Sequence, residues 1–492
     1  MTDQSLPQPL RTPLREPAAH AAVHDEPAGQ VPTSPQSLPP ARMALLFAVM
    51  LIIAAGNTAM QSVMPSIGTH LGIADVWVSL AYSWSALLWM LLAPFWARRS
   101  DQRGRKAMMA LGLAAFALSF ALCGAALLAG LKGLVSGMTA IVLFAVARSL
   151  YGTFGSAAPP AVQAYVASRT SRAERTKALS MVASSFGLGT ALGPALAPLL
   201  ILPGIGLIGP FAGFTLGALV VLAMLRVGLP DDSPQDGDMG DEQAPAHLTG
   251  AGAARGRTGR AQAFGEHADG WLGNGNAVGD DEADNIEQDN AGDADAGDGR
   301  LRWADPRIRR WLIAGTLGGQ AQSIMLGVIG FLLLDRLGLR HQPDAAAGPI
   351  GLVLMVGAIA MLLAQWGLIP MLGLGPRLST MIGMALVAVG TLPVALGQDL
   401  HAIATGFAIC SVGFGLFRPG FTAGASLAVS LREQGQAAGI VAAVNGSAYI
   451  VSPAIGVFLY NHSHWMVWAV IEALVIVVLA LFLRDRDQAV RS

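Results

Sequence analysis

Charge is what this chain has least of. Only 13% of its 492 residues are Asp, Glu, Lys or Arg, against about 25% in soluble proteins. Together with a hydrophobic content of 53%, this excludes a single water-soluble enzyme core. Cysteine is nearly missing too. Cys123 and Cys410 both lie in apolar runs, and no C-x-x-C exists, so a disulfide framework and a cysteine metal site are excluded; the pair reads as small buried hydrophobes. No apolar stretch precedes Ala41, so no secretory leader is expected, and the polar, Pro-rich residues 1–40 read as a disordered cytoplasmic tail. A G-x-x-x-x-G-K-[ST] phosphate loop is absent, which argues against ATP drive. The spans hold no paired acids, no Ser/His pair and no His/Glu metal pattern, so neither an intramembrane enzyme nor a metal site is expected. The nearest histidine pair, His462 and His464, reads as solvated loop residues.

What the chain has is apolar runs of bilayer length, about 20 residues each. Six cover 43–67, 77–97, 107–131, 138–158, 178–202 and 205–225. Six more cover 311–334, 347–368, 378–396, 402–427, 437–459 and 466–483. The expected fold is therefore an all-α integral membrane protein, twelve transmembrane helices in two six-helix bundles, over residues 41–228 and 305–484, with a short cytoplasmic tail at 485–492. Between the bundles, residues 229–304 are rich in Asp, Gly and Ala. The stretch 231–300 holds 17 of the 32 acidic residues and 4 of the 31 basic ones. Such a segment cannot bury enough apolar surface to offset chain entropy and reads as a disordered cytoplasmic linker. Outside it the chain is basic, and the bases cluster. Arg98, Arg99, Arg103, Arg105 and Lys106 follow span 2, and Arg169, Arg172, Arg175 and Lys177 follow span 4, whereas the loop after span 3 has Lys132 alone. Lys and Arg accumulate on the cytoplasmic side, which puts both termini and the linker in the cytosol. Arg336 and Arg340 after span 7 are an exception. The basic patches coincide with these loops, so no nucleic-acid partner is expected; the partners are the bilayer and a small molecule.

The halves carry traces of duplication. A shift of 259 positions lays Pro160 on Pro419, Gly187 on Gly446 and Pro194 on Pro453, with G-P-A-L-A beside S-P-A-I-G. Transporters built from such repeats bind substrate near the midplane between them.

The sharpest motif is S-D-Q-R-G-R-K, from Ser100 to Lys106. A tight turn between antiparallel helices needs the backbone freedom of Gly104, and Asp101 at a helix end can pair with Arg105 or with backbone donors. The loop resembles the signature G-x-x-x-D-[RK]-x-G-[RK]-[RK] of the major facilitator superfamily, keeping Asp101, Gly104, Arg105 and Lys106 and departing at Ala97 and Gln102. The resemblance covers the chain from Ala41 to Leu483 apart from the linker. It implies a secondary transporter, working as a monomer by alternating access, in which the Asp101 cluster latches the cytoplasmic side.

Arg148, about ten residues into span 4, carries a charge costing about 2.5–3.5 kcal/mol at bilayer depth, so it should face the protein interior or a cavity. With Gly152 it is similar to the family's R-x-x-x-G, which in proton-coupled members is associated with proton transfer or carboxylate pairing; Tyr151 stands where Gln is common. Span 10 has its own deep arginine, Arg418. Gly189, Gly193 and Pro194 in span 5 resemble the family's antiporter motif G-x-x-x-G-P-x-x-G-G, although the final Gly pair is Ala197–Pro198 here. Polar residues within spans are candidates for the cavity wall or for interhelical hydrogen bonds: Asn57 and Gln61, Tyr82, Gln320 and Ser323, Gln365, Asn445 and Tyr449. Gln322 points away from Gln320 and Ser323.

Carboxylates are scarce where a proton-driven carrier needs them. Spans 1 and 4 have none, Glu472 lies in span 12, and Asp335 ends span 7. Arg148, Arg418 and Glu472 are therefore the candidates for coupling or for meeting substrate charge. The expected function is export of a drug, siderophore or metabolite across a bacterial inner membrane, in exchange for protons and without a bound cofactor. The alternative is a symporter or uniporter importing a small organic metabolite, possibly anionic.

Overall fold

The computed structural model describes residues 38–170, 172–230, 301–430 and 433–489. The tail 1–37 and most of the linker lie outside the described residues. Among the described residues seven α-helices precede the linker: α1 (Pro40–His70), α2 (Asp75–Arg103), α3 (Arg105–Leu131), α4 (Gly137–Phe154), α5 (Ala158–Ser168), α6 (Arg172–Leu196) and α7 (Gly209–Gly228). Eight follow it: α8 (Pro306–Arg336), α9 (Pro343–Leu363), α10 (Ile369–Leu372), α11 (Pro376–Leu396), α12 (Leu400–Leu427), α13 (Gln434–Ser447), α14 (Ser452–His462) and α15 (His464–Ala489).

Three pairs are broken spans. A 3₁₀ turn at Gly155–Ala157 joins α4 to α5, because Pro159 and Pro160 donate no backbone hydrogen bond and are tolerated only in a first turn. A π-helical turn, Ala364–Leu368, joins α9 to α10, and Pro453 opens α14 just past a break after Ser447. Counted as joined spans, eleven helical stretches of the described residues are long and apolar enough to cross a membrane. Helix α6, lying between the fourth and fifth of these eleven, completes the twelve expected.

Local chemistry sets the ends. Gly104 makes the whole connection from α2 to α3 at φ 86°, a region that L residues rarely adopt. Ser136 caps α4 by accepting from Thr139 N–H at 3.2 Å, and Asp399 caps α12 by accepting from His401 and Ala402 N–H at 2.9 and 3.0 Å; both satisfy donors that a helix start leaves free. Helix α15 continues through Ala489, so residues 485–489 prolong the last helix. The linker is pinned at its edges: Leu229 and Leu301 are buried, and Leu301 N–H donates to Gln436 Oε1 at 2.7 Å.

The helices pack as two related bundles. In the first, α1 packs on α6, α3 on α4 and α2 on α4; in the second, α8 packs on α14, α11 on α12 and α9 on α12. Those are the same span pairs, 1 with 5, 3 with 4 and 2 with 4, repeated six spans later. Pro160 and Pro419 sit on equivalent spans, as do Pro194 and Pro453, but with different effects. Pro194 and Pro419 lie inside continuous helices, whereas Pro160 and Pro453 start new ones. The halves meet through α6 against α9, α2 against α14 and α1 against α9.

A cluster tying α8 to the α12–α13 connection sits at the arginine-rich end. Arg307 bonds both oxygens of Glu433 at 2.8 and 2.9 Å and also pairs with Asp305. These bonds hold the Glu433 carboxyl down to about 2, against an ordinary value of 4.5. A lowered carboxylate contributes stability that is complete above the ordinary value and vanishes as pH falls through the folded one. Thermal unfolding of the purified protein should therefore lose more stability between pH 5 and 3 than that of Glu433→Gln, which has already lost the pair.

Candidate functional site

Arg148 is the centre of the first half. Twelve residues into α4, it is 5% exposed. Nη2 donates to Asn57 Oδ1 on α1 at 2.5 Å, and Asn57 Nδ2 donates to the Tyr151 hydroxyl at 2.5 Å. The guanidinium lies over the Tyr151 ring at 4.5 Å and near Phe120 of α3 at 5.7 Å, while Trp89 of α2 stacks on Tyr151 at 5.1 Å. The position standing where Gln is common in the family thus supplies a cation–π face. Nε and Nη1 of Arg148 are buried without a protein hydrogen-bond partner. A buried cation with two unused donors is costly, and such groups usually meet a counter-charge or a polar ligand.

Helix α1 is placed by the glycine motif of α6. A Cβ on Gly189 would lie 2.7 Å from both Ala54 Cβ and Leu51 O, and one on Gly193 only 2.1 Å from Ala55 O and 2.2 Å from Thr58 Oγ1. The two glycines therefore seat α6 directly on the α1 backbone at the turn that carries Asn57.

The other sequence candidates are distributed around this centre. Gln61 is exposed one turn beyond Asn57. Tyr82 packs edge-on against Phe144, with its hydroxyl buried and unpartnered. In the second half, Arg418 Nη2 reaches Asn445 Oδ1 at 3.5 Å, and Gln320 accepts from Ser452 Oγ at 3.0 Å. Ser323 is fully buried with a free hydroxyl, Gln322 is buried too, and Tyr449 and Gln365 are half-buried. Glu472 of α15 lies beside Thr391 of α11, with one carboxylate oxygen buried and unpartnered; it belongs to the interior of the second bundle. Arg105 bonds Ser168 Oγ, and Lys106 bonds the Leu229 carbonyl. The Asp101 side chain, on which the latch expectation centres, lies outside the described residues. Trp84 donates to Ser149 Oγ at 2.7 Å.

Cys123 and Cys410 are free and buried, the former against the Phe144 carbonyl at 3.7 Å. Intact protein should take up no maleimide within minutes, and two equivalents after denaturation, as read by mass spectrometry. Among the described residues no group of three His, Cys, Asp or Glu side chains could hold a metal ion.

Sequence reasoning passed over a second cluster, at the end bearing the α1–α2 and α8–α9 connections. Asp75, the first residue of α2, is buried and takes both terminal nitrogens of Arg340 at 3.1 and 2.8 Å. Arg340 Nε also donates to Asp335 at 2.5 Å, and Asp335 accepts from the Tyr460 hydroxyl at 2.7 Å. These bonds, to Asp75 foremost, raise the affinity of Arg340 for its proton. The available signal was Arg340 itself, a base in a loop where bases should be rare.

Eleven bilayer-length helical stretches together with α6, packed as two repeated bundles around buried polar side chains, are the architecture of a membrane transporter. The chain belongs to the Major Facilitator Superfamily, whose family model matches residues 46–373 and 368–492, and like its relatives it is a transporter, not an enzyme. It is 30% identical over 161 residues to Multidrug resistance protein 2 of Bacillus subtilis (strain 168), covering 33% of this chain and 36% of the relative. It is 29% identical over 153 residues to Multidrug resistance protein 3 of the same organism, covering 31% and 27%. The alignments thus span about a third of the length of these relatives. Among solved structures, the fold is similar to a bacterial homolog of the human lysosomal transporter Spinster, inward-facing and occupied (TM-score 0.65, 11% identity, 92% of this chain and 98% of that one). It is also similar to the human organic anion transporter MFSD10 (0.54, 17%, 90% and 100%) and to the inward-open xylose transporter XylE of E. coli (0.58, 15%, 89% and 94%).

Proposed function

We propose that the protein exports a small organic molecule, a drug, siderophore or metabolite, across a bacterial inner membrane in exchange for protons, with both termini in the cytosol. The observation that carries this reading is Arg148, a nearly buried guanidinium with two unused donors beside Asn57 and an aromatic wall. An aromatic or amphipathic molecule bearing a carboxylate suits such a group, since bonds between a guanidinium and a carboxylate are the strong, charge-assisted kind. Arg418 adds a second positive group, and Glu472 is the lone intramembrane acid in the sequence. The balance favours a negatively charged substrate, which agrees with the fold shared with an organic anion transporter. Export is supported by the Gly189–Gly193–Pro194 seat of α6 and by the multidrug resistance relatives. Import by symport is the second reading. It is favoured by Ala197–Pro198 in place of the motif's final glycines and by a fold shared with a xylose transporter.

Reconstitution in liposomes with an imposed pH gradient tests both. An inward-acid gradient should drive labelled organic anions into vesicles through carriers whose cytoplasmic face is outside. Movement that ignores the gradient sinks proton exchange, and a panel in which only lipophilic cations move sinks the anionic substrate.

A further inference from the structure

We propose that Asp75, Arg340, Asp335 and Tyr460 form an ionic latch that holds the two halves together at the α1–α2 end and releases when that end opens. Where both partners are described, the ion pair joining the halves is Asp75–Arg340 at 2.8 Å, and His70 faces Asp344 across the same boundary at 3.8 Å, more exposed. Both lie at this end. Behind them α1 and α8 touch, where a Cβ on Gly330 would come within 2.6 Å of Pro65. The halves are thus tied together at this end, opposite the S-D-Q-R-G-R-K loop.

The chemistry of the cluster suits a contact that must break repeatedly. Losing one partner of a buried ion pair is expensive because the other charge is left stranded. Here one guanidinium faces two carboxylates with different attachments. Asp335 belongs to the same half as Arg340 and is itself held by Tyr460 of α14. Asp75 belongs to the other half. When the halves part, Arg340 keeps Asp335, and Asp75 is delivered to water at the mouth, where it sits in the first turn of α2 and is favoured by the helix dipole. No charge is orphaned. A purely structural tie within one bundle would not need the Asp75 arm. Arg340 is also aimed by its own turn: Gly338, at φ 65°, ends the α8 segment and starts the 3₁₀ turn Leu339–His341. This arrangement gives a reason for the base that violates the loop charge pattern.

The latch biases a two-state equilibrium, so removing it should shift populations without removing the binding site. Spin labels on engineered cysteines at Leu134, in the α3–α4 connection, and Gln398, in the α11–α12 connection, both exposed, report the separation of the halves at this end in full-length protein in nanodiscs. The native thiols are buried. Asp75→Asn removes the crossing contact while leaving Arg340 paired with Asp335. It should raise the ratio of open to closed distances about tenfold. Arg340→Gln should do the same, and the double variant no more than either, as for one shared interaction. Asp335→Asn, which keeps the crossing pair, should shift the ratio less. An unchanged distribution in Asp75→Asn, or equal shifts in Asp75→Asn and Asp335→Asn, overturns the latch. If Arg340→Gln does not fold, Asp75→Asn still decides. The inference needs alternating access and no particular direction of transport, so its failure leaves the export reading untouched.

Discussion

Arg148→Lys should lose at least nine-tenths of transport at subsaturating substrate while the protein keeps its fold and melting temperature. Lysine preserves the charge but offers a point cation on a flexible stem. It cannot hold Asn57 through one nitrogen, sit over the Tyr151 ring at 4.5 Å and present two further donors at once. Hydrogen bonds to charged groups are worth about 1.5–3 kcal/mol each, and every 1.4 kcal/mol is tenfold in affinity. Loss of one substrate contact therefore raises KM roughly ten- to a hundredfold. Arg148→Gln should do so as well, and its melting temperature separates the functional role from a structural one. A residue that holds helices together costs stability when removed. A buried guanidinium with two unused donors is a burden to the fold, so its neutralisation should leave stability unchanged or raised. Normal uptake kinetics in Arg148→Lys, or a fall in melting temperature in Arg148→Gln with kinetics preserved, would remove Arg148 from the site.

How much of this was visible beforehand divides along physical lines. Span number and the two-half architecture were legible because a bilayer imposes length and apolarity on every helix, and those are properties of composition. Arg148 was legible for the same reason, as a charge where charge is costly. Its partners were not. Asn57 is 91 positions away, and nothing local to A-R-S-L-Y-G-T-F-G says that α1 presents it there or that Tyr151 turns its ring to the guanidinium. The Asp75–Arg340 contact spans 265 positions. Each residue alone reads as an ordinary helix-start acid and a loop base, and the pair exists only after the halves dock. The broken spans were also hidden. Pro-rich runs show that a helix can break, but whether it bends or restarts depends on the neighbours, as the differing fates of Pro194 and Pro453 illustrate.

The glycine seat of α6 is where packing and the site are most tightly joined, and Gly193→Ala should damage both. The added methyl would come within 2.1 Å of the Ala55 carbonyl oxygen and 2.8 Å of the Ala59 backbone nitrogen. Both are main-chain atoms of α1, so no side chain can swing aside and the helices must separate. Overpacking of this kind costs about 1–3 kcal/mol, occasionally more, which should lower the melting temperature by several degrees. Gly439→Ala is the matched control: it lies inside α13 with nothing within 4 Å of a new Cβ. There alanine should stabilise slightly, since glycine in a helix interior costs up to about 1 kcal/mol relative to it. The functional consequence follows from the register of α1. Asn57 lies between Ala55 and Thr58, the residues that Gly193 touches, and Thr58 Oγ1 also reaches the Gly189 carbonyl at 3.4 Å. Pushing this turn away from α6 moves Asn57 relative to Arg148, whose bond to it is already as short as 2.5 Å and loses strength steeply with misalignment. Gly193→Ala should thus reduce transport even at temperatures where it remains folded, and Gly439→Ala should not. Full transport by Gly193→Ala with an unchanged melting point would show that α6 does not bear on α1 as described.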